Sequence, residues 1–256
     1  MAYYYKQPDL ILPDDDCVIW RYMDLSKFQS MLKENAIFFS KADKQADKQE
    51  GEYSEEMLAE LKREWGNGFK SDDGTTYGFH EWHNQKEKPS RLISCWSASP
   101  TETQRRWAEY TANTNTESVS IRSTIGGLKS CFHENEEPVV WIGKVRYGEE
   151  ENRLNQSISK SGVNPFLYPF FKKEETFRWE NEIRAIVNIA QKKQAKLDHS
   201  SNGCYVKADL KILIESVWIN PQSSINFRVQ VETMLEGYNF RSVEIHQSSW
   251  NSLPYQ

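Results

Sequence analysis

Glu180 and Glu182 are two carboxylates separated by one residue, directly ahead of the largely apolar run at residues 183–187. On a strand this spacing would place both side chains on the same face. Two like charges at the start of a strand are costly unless they face a cationic or hydroxyl-rich ligand, so the pair is a candidate for carboxylate chemistry. The alternative is a solvated strand edge whose charges prevent edge-to-edge pairing.

Other candidate side chains precede this pair along the chain. Arg21 lies in the first predicted strand, and Ser94 and Ser97 lie in a central predicted strand on either side of Trp96. The planar fork of an arginine suits a pyrophosphate because it can bond two oxygens at once. Each residue also has an ordinary alternative: Arg21 could be a strand-edge arginine, and the serines could satisfy backbone groups.

The order arginine, serine, glutamate resembles that of the ADP-ribosyltransferases. The resemblance implies that Arg21 holds the phosphates of NAD and that Ser94 and Ser97 shape the pocket of the nicotinamide ribose. It further implies that Glu182 bonds a ribose hydroxyl as the catalytic carboxylate, while Glu180 guides the acceptor.

NAD would be the co-substrate of such an enzyme. Cleavage of its nicotinamide–ribose bond builds an oxocarbenium-like cation, and a fixed carboxylate stabilises positive charge that exists only in the transition state. Tyr22 and Trp96 are candidates for stacking on the nicotinamide or adenine ring.

Longer motifs resemble a family of bacterial proteins known as a domain of unknown function and found in toxin and phage-defence contexts. The family's usual Asn-Asp-Pro is replaced here by Ala46-Asp47-Lys48. The resemblance implies a toxin or antiviral effector that modifies a macromolecule, protein or nucleic acid, with an antitoxin or another defence protein as its partner. The matching pieces are residues 20–22, 32–40, 47–51, 94–97, 107–110, 118–121, 172 and 179–184.

The elements that must position these residues predict an α+β fold. We expect one domain over residues 1–256, with a mostly antiparallel β core of the split-sheet kind found in ADP-ribosyltransferases, flanked by helices. Residues 1–16 are expected to form a tail and residues 66–90 a long loop. The predicted strands are 17–22, 36–40, 91–97, 118–122, 139–147, 177–187, 216–220 and 242–245, and the predicted helices are 24–34, 52–65, 101–111 and 225–235.

Composition limits the function classes. The chain has 256 residues, 38% of them hydrophobic, and a net charge of −5, which argues against a broad basic surface for duplex DNA. No membrane-spanning run or signal peptide is predicted, and the four scattered cysteines indicate no disulfide framework, so a cytoplasmic location is expected. No metal site is predicted, because His80 and His83 lack the spacing of two ligands on one helical face.

Two other functions stay open. One is a non-catalytic module of the same fold that binds a nucleotide, a nucleic acid or a protein; the enzyme hypothesis instead requires Arg21 and Glu182 to face one cleft. The other is RNA modification or cleavage, guided by the basic pairs at residues 105–106 and 192–193. Among neighbouring residues, we expect Trp107 and Tyr110, at helical spacing, to belong to the core, and Lys172 and Lys173 to a solvated charge run.

Overall fold

The strand β6 (Arg91–Ala98) is central to the sheet in the computed structural model, which describes residues 3–7, 10–45, 51–70, 74–111, 117–132, 138–148, 164–189 and 202–249. Ten strands form one sheet, in which neighbouring strands pair antiparallel except for one parallel pair at each end of the main strand order. The predicted α+β domain with a mostly antiparallel core flanked by helices is confirmed. The other strands are β1 (Tyr3–Tyr4), β2 (Val18–Asp24), β3 (Ala36–Lys41), β4 (Phe69–Lys70), β5 (Thr76–Tyr77), β7 (Ser118–Thr124), β8 (Val139–Lys144), β9 (Arg146–Tyr147), β10 (Lys172–Lys173), β11 (Glu182–Asn188), β12 (Gly203–Lys207), β13 (Ser216–Ile219) and β14 (Glu244–Gln247).

The sheet splits at β6. One edge of β6 pairs along its whole length with β11, whereas the other edge is divided between two strands. Strand β2 pairs with its C-terminal end, where Trp20 lies opposite Ser97, and β3 pairs with its N-terminal half, where Ser40 lies opposite Ile93. The two branches, β2-β7-β13-β14 and β3-β12, diverge from this point and leave a fork between them.

Residues that lie opposite each other in an antiparallel ladder share a face, and successive residues alternate between faces. Along β6 this gives a core face, which carries Leu92, Ser94, Trp96 and Ala98, and a pocket face, which carries Ile93, Cys95 and Ser97. The core face packs against the largest hydrophobic cluster, and the pocket face of β6 and β11 packs against a smaller one formed with residues 167–171.

The longer helices begin at side-chain caps. Asp24 accepts a hydrogen bond from the Lys27 amide at 2.8 Å, and Ser54 and Ser224 cap two other helices in the same way. The first helix ends at Asn35, whose φ of 45° gives the left-handed turn that reverses the chain into β3. The helices are α1 (Leu25–Glu34), α2 (Glu55–Trp65), α3 (Phe79–Trp82), α4 (Lys88–Ser90), α5 (Gln104–Thr111), α6 (Ile125–Ser130), α7 (Leu210–Leu213) and α8 (Ile225–Gly237), with 3-10 turns at Ala42–Lys44, Tyr168–Phe171 and Glu175–Glu180 and a π-helical turn at His83–Glu87.

Several local predictions are wrong. The expected tail begins with β1, because its backbone pairs with β8, and the expected loop at 66–90 contains a short hairpin followed by helical turns. Strand β11 begins at Glu182 rather than at residue 177, since a 3-10 turn precedes it. The pattern search missed β12, which pairs with β3 beside the fork.

Within the described residues, none of the helices has both the length and the apolar character needed to span a bilayer.

Candidate functional site

A cavity of about 540 Å³ lies at the fork, where the divergence of β2 and β3 opens the sheet. Side chains from both faces of the sheet line the cavity, because core-face residues extend through the gap between β2 and β3. Four residues predicted to bind cofactor line it, namely Arg21, Tyr22, Trp96 and Ser97. Helix α1, the turn after β3 and strand β12 complete its walls with Ser26, Lys27, Ser30, Gln45 and Tyr205.

Arg21 is the cationic group that the sheet itself contributes to the cavity, from strand β2. Its guanidinium donates hydrogen bonds to Ser94 Oγ and, at 2.9 Å, to the carbonyl oxygen of Phe38, and its central carbon lies 5.6 Å from the Trp96 ring centroid. Burial lowers the pKa of Arg21 to about 10, so it remains cationic at neutral pH. Of the residues that the structure describes, no acidic side chain forms an ion pair with it. A desolvated cation in a cavity without a carboxylate is suited to an anionic ligand.

The predicted serines have different environments. Ser94 is buried on the core face, where its hydroxyl accepts hydrogen bonds from Arg21 and, at 3.2 Å, from the Trp96 indole. Ser97 is on the pocket face, opposite Glu182 in the ladder. Ser94 therefore orients the guanidinium from behind, whereas Ser97 lies between the cavity and the carboxylates.

The two predicted stacking residues also differ. Trp96 is only 2% exposed, so its ring supports Arg21 rather than offering a free face to a ligand. Tyr22 is half-buried, with Trp107 edge-on at 4.9 Å and Tyr110 stacked at 5.7 Å between ring centroids. Trp107 belongs to the core as predicted, but Tyr110 lines the cavity and is 39% exposed, which contradicts its prediction as a core residue.

Glu182 forms a buried ion pair. Its Oε2 accepts a hydrogen bond from Arg184 Nη2 at 2.8 Å and lies 3.6 Å from Lys173 Nζ. Burial alone would raise the pKa of Glu182, but the charges of Arg184 and Lys173 and hydrogen bonds from Arg184 and Cys95 bring it below its ordinary value. The carboxylate is therefore ionised at neutral pH, and the alternative of a solvated strand edge is wrong.

Glu180 is held beside Glu182 although it precedes the strand. It is the last residue of a 3-10 turn, and Asn181, in the left-handed conformation, leads the chain into β11. Its Oε2 accepts a hydrogen bond from Lys173 Nζ at 2.6 Å. Burial and the negative charge of Glu182 raise the pKa of Glu180, against the opposing effect of Lys173.

The environments thus drive the pKa values of the two glutamates apart, an arrangement in which one carboxylate stays ionised while its neighbour can exchange a proton. Lys173, predicted to be a solvated residue, is the cation that joins them, and its side chain is only 11% exposed. Sequence spacing could not single it out, because nothing in a Lys-Lys dipeptide distinguishes a buried bridge from a surface charge.

The prediction that Arg21 and Glu182 face one cleft is not met: of the predicted site residues, Arg21, Tyr22, Trp96 and Ser97 share the cavity. Arg21 enters the cavity from the core face through the fork, while Glu182 lies on the pocket face, one strand away from the cavity wall. Neither Glu180 nor Glu182 lines the cavity. Cys95 and Tyr110, which the sequence did not indicate, both line the cavity. Cys95 forms a hydrogen bond with Glu182, and burial and the charges of both glutamates raise the pKa of Tyr110.

The region around His83 forms no part of this cavity. His83 is fully buried rather than in a solvated loop, and its Nε2 lies 2.5 Å from the carbonyl oxygen of Gly51. Across the described ranges, the structure contains no group of three or more His, Cys, Asp or Glu side chains placed to hold a metal ion.

No protein-family model matches the sequence, and no curated protein matches it. The similar solved structures include three of DarT from Thermus sp. 2.9. The match to DarT in complex with ADP-ribosylated ssDNA has 10% sequence identity and a TM-score of 0.39, and the alignment covers 96% of this chain and 100% of that chain. The match to the complex with carba-NAD+ has 12% identity and a TM-score of 0.37 and covers 95% of this chain and 100% of that chain. The match to the complex with NAD+ has 11% identity and a TM-score of 0.38 and covers 94% of this chain and 99% of that chain. The assignment of the fold rests on the sheet itself. The resemblance to the bacterial family stays a prediction.

Proposed function

We propose that the cavity binds NAD and that the protein is an NAD-dependent ADP-ribosyltransferase acting on a macromolecule. The observation that carries the proposal is the Arg21 guanidinium, a cation in the cavity with no acidic partner among the described residues, one strand away from the ionised carboxylate of Glu182. A pyrophosphate supplies the anion that Arg21 lacks, and a carboxylate supplies the charge that a forming ribosyl cation requires.

In the proposed reaction the bond between the nicotinamide nitrogen and the ribose carbon breaks, and its electron pair leaves with neutral nicotinamide. Positive charge develops on the ribose, where Glu182 stabilises it. A nucleophile of the acceptor then bonds to the ribose carbon and releases a proton. Glu180, whose pKa is raised, is suited to accept that proton.

The test combines purified protein, NAD and a cell extract, and measures nicotinamide release together with labelling of protein, RNA and single-stranded DNA. We expect Glu182→Gln to reduce the rate on the order of a hundredfold to a thousandfold, the effect of losing one preorganised electrostatic group. Glu232→Gln is the matched control, because Glu232 pairs with Arg228 on the surface of α8. Turnover by the folded Glu182→Gln variant at the wild-type rate would refute the assignment.

A non-catalytic nucleotide-binding module is the second candidate, favoured by the absence of Glu180 and Glu182 from the cavity wall and by the two cations that neutralise Glu182. Calorimetric titration distinguishes the two. Binding of NAD without nicotinamide release in any extract favours the module, whereas release that depends on Glu182 favours the enzyme.

We also propose, from the resemblance of the sequence motifs to the bacterial family, a role as a toxin or antiviral effector with an antitoxin or defence partner. Expression in a bacterial host tests it: the wild-type chain should arrest growth, and a Glu182→Gln chain produced at the same level should not. Growth arrest by both chains would show that any toxicity is independent of the carboxylate.

A further inference from the structure

Tyr110 is placed where the cavity and the carboxylates come closest. It is the penultimate residue of α5, and its ring lines the cavity and stacks on Tyr22. The residue is 39% exposed, and burial and the negative charges of Glu180 and Glu182 raise the pKa of its hydroxyl, against a hydrogen bond with Ser97, which lies opposite Glu182 in the ladder. The phenol therefore stands between the cavity and the two carboxylates.

Tyr110 also packs against Trp179, in the segment that leads to Glu180. The Trp179 ring lies 6.1 Å from the Tyr110 ring, and Trp179 immediately precedes Glu180. Arg106 donates a hydrogen bond to the Trp179 carbonyl at 3.2 Å, and the Arg105 guanidinium lies 4.2 Å from the Trp179 ring centroid. These contacts fasten α5 to the turn that carries Glu180.

Helix α5 makes hydrogen bonds to the core through Trp107, before the C-terminal turn that carries Tyr110. Trp107 is fully buried and donates a hydrogen bond to Glu102 at 2.8 Å, and Glu102 also accepts one from Ser248. Tyr110 follows one turn later, and its contacts with the described residues are through its ring and its hydroxyl. A rotation about its side-chain bonds would therefore uncover the carboxylates without disturbing the helix.

We infer that Tyr110 is a positioning residue that covers Glu180 and Glu182 in the empty protein and turns aside when a ligand occupies the cavity. The inference rests on the proposed function for its ligand. The cover keeps water away from the carboxylates until NAD is bound, so that the ribosyl cation forms only in a filled site.

The test measures access to the carboxylates without NAD. A water-soluble carbodiimide with glycine ethyl ester converts an accessible carboxyl to an amide, and peptide mass spectrometry gives the rate at each glutamate. If labelling follows the open population, Tyr110→Phe should speed modification of Glu180 and Glu182 about fivefold, the effect of losing one hydrogen bond. Tyr110→Ala should exceed this. Exposed Glu232 is the reference within each protein, and Tyr5→Phe, at an exposed tyrosine, is the control variant.

Equal labelling of Glu180 and Glu182 in wild type, Tyr110→Phe and Tyr110→Ala, each shown to be folded by its unfolding curve, would overturn the inference. A second measurement separates a cover from a structural role. With water, no acceptor and NAD below saturation, NAD hydrolysis to nicotinamide, ADP-ribose and a proton should rise in Tyr110→Phe, because NAD binding no longer has to displace the cover, whereas loss of a purely structural residue would only lower it. If the wild type binds no NAD, the proposed function fails, but the labelling result still decides whether Tyr110 covers the pair.

Discussion

The guanidinium of Arg21 makes its hydrogen bonds through two nitrogens, one to Ser94 and one to Phe38, and the amine of a lysine cannot reproduce that geometry. We expect Arg21→Lys to weaken NAD binding about tenfold or more, since hydrogen bonds to charged groups contribute roughly 1.5–3 kcal/mol each. Calorimetric titration measures the affinity. Arg122→Lys is the control, because Arg122 pairs with Glu215 at the surface. Equal affinities of wild type and Arg21→Lys would mean that Arg21 does not hold the phosphates.

Glu182 contributes to stability as well as to the proposed chemistry. Its replacement by Gln removes the charge that compensates Arg184, which is fully buried, and breaking a buried ion pair typically costs about 3–5 kcal/mol. We therefore expect the free energy of unfolding in urea to fall by about 3 kcal/mol in Glu182→Gln and to stay within about 0.5 kcal/mol of wild type in the surface control Glu232→Gln. If the two variants unfold at the same urea concentration, the buried pair does not stabilise the fold.

At the scale of elements, the turn at Asn181 decides where Glu180 lies. Its φ is 42°, and its side-chain amide donates a hydrogen bond to the Ala98 carbonyl at 2.8 Å, which ties the turn to the end of β6. We expect Asn181→Ala to lower the free energy of unfolding by about 1–3 kcal/mol, because it loses the bond and strains the left-handed backbone. Asn181→Gly should lose less, since glycine adopts this conformation freely. Urea unfolding compares the two, and a glycine variant less stable than the alanine variant would contradict this account.

At the scale of the whole molecule, His83 connects the helical turns at residues 79–90 to Gly51 and to the 3-10 turn at Tyr168–Phe171. Its Nε2 contacts the Gly51 carbonyl, its ring lies 5.7 Å from that of Phe170, and burial lowers its pKa to about 4. In the unfolded chain the pKa of a histidine is about 6.5, so the unfolded state binds a proton before the folded state does as the pH falls. Stability from this group is therefore complete above about pH 6.5 and is lost as the pH falls towards about 4, by up to about 3 kcal/mol.

Urea unfolding between pH 7 and pH 4 measures this dependence. The free energy of unfolding of His83→Gln should fall less steeply with acidification than that of wild type, because the glutamine does not titrate. His246→Gln, at a half-exposed histidine stacked on Trp218, is the control for replacing a histidine elsewhere in the domain. Identical slopes for all three proteins would show that His83 is not the group responsible.

Much of the fold follows from local pattern. Alternation of apolar residues predicted β2, β6 and β7, and the capping residue Asp24 with the helical spacing of Phe28, Met31 and Leu32 predicted α1. These patterns suffice because a strand or helix buries one face, and that requirement is written in consecutive residues. Strand β12 was not predicted because it begins with a glycine, which weakens the pattern of a strand.

The candidate site divides in the same way. Residue chemistry alone selected Arg21, Ser94, Ser97 and the pair at residues 180 and 182, since a fork-shaped cation and two adjacent carboxylates are recognisable without coordinates. Only the tertiary structure decided that the cavity lies at the split of the sheet, that Lys173 bridges the glutamates, and that Tyr110 lies between them and the cavity. The physical reason is that desolvation and the contacts between distant segments depend on how the strands diverge, and no local spacing encodes that divergence.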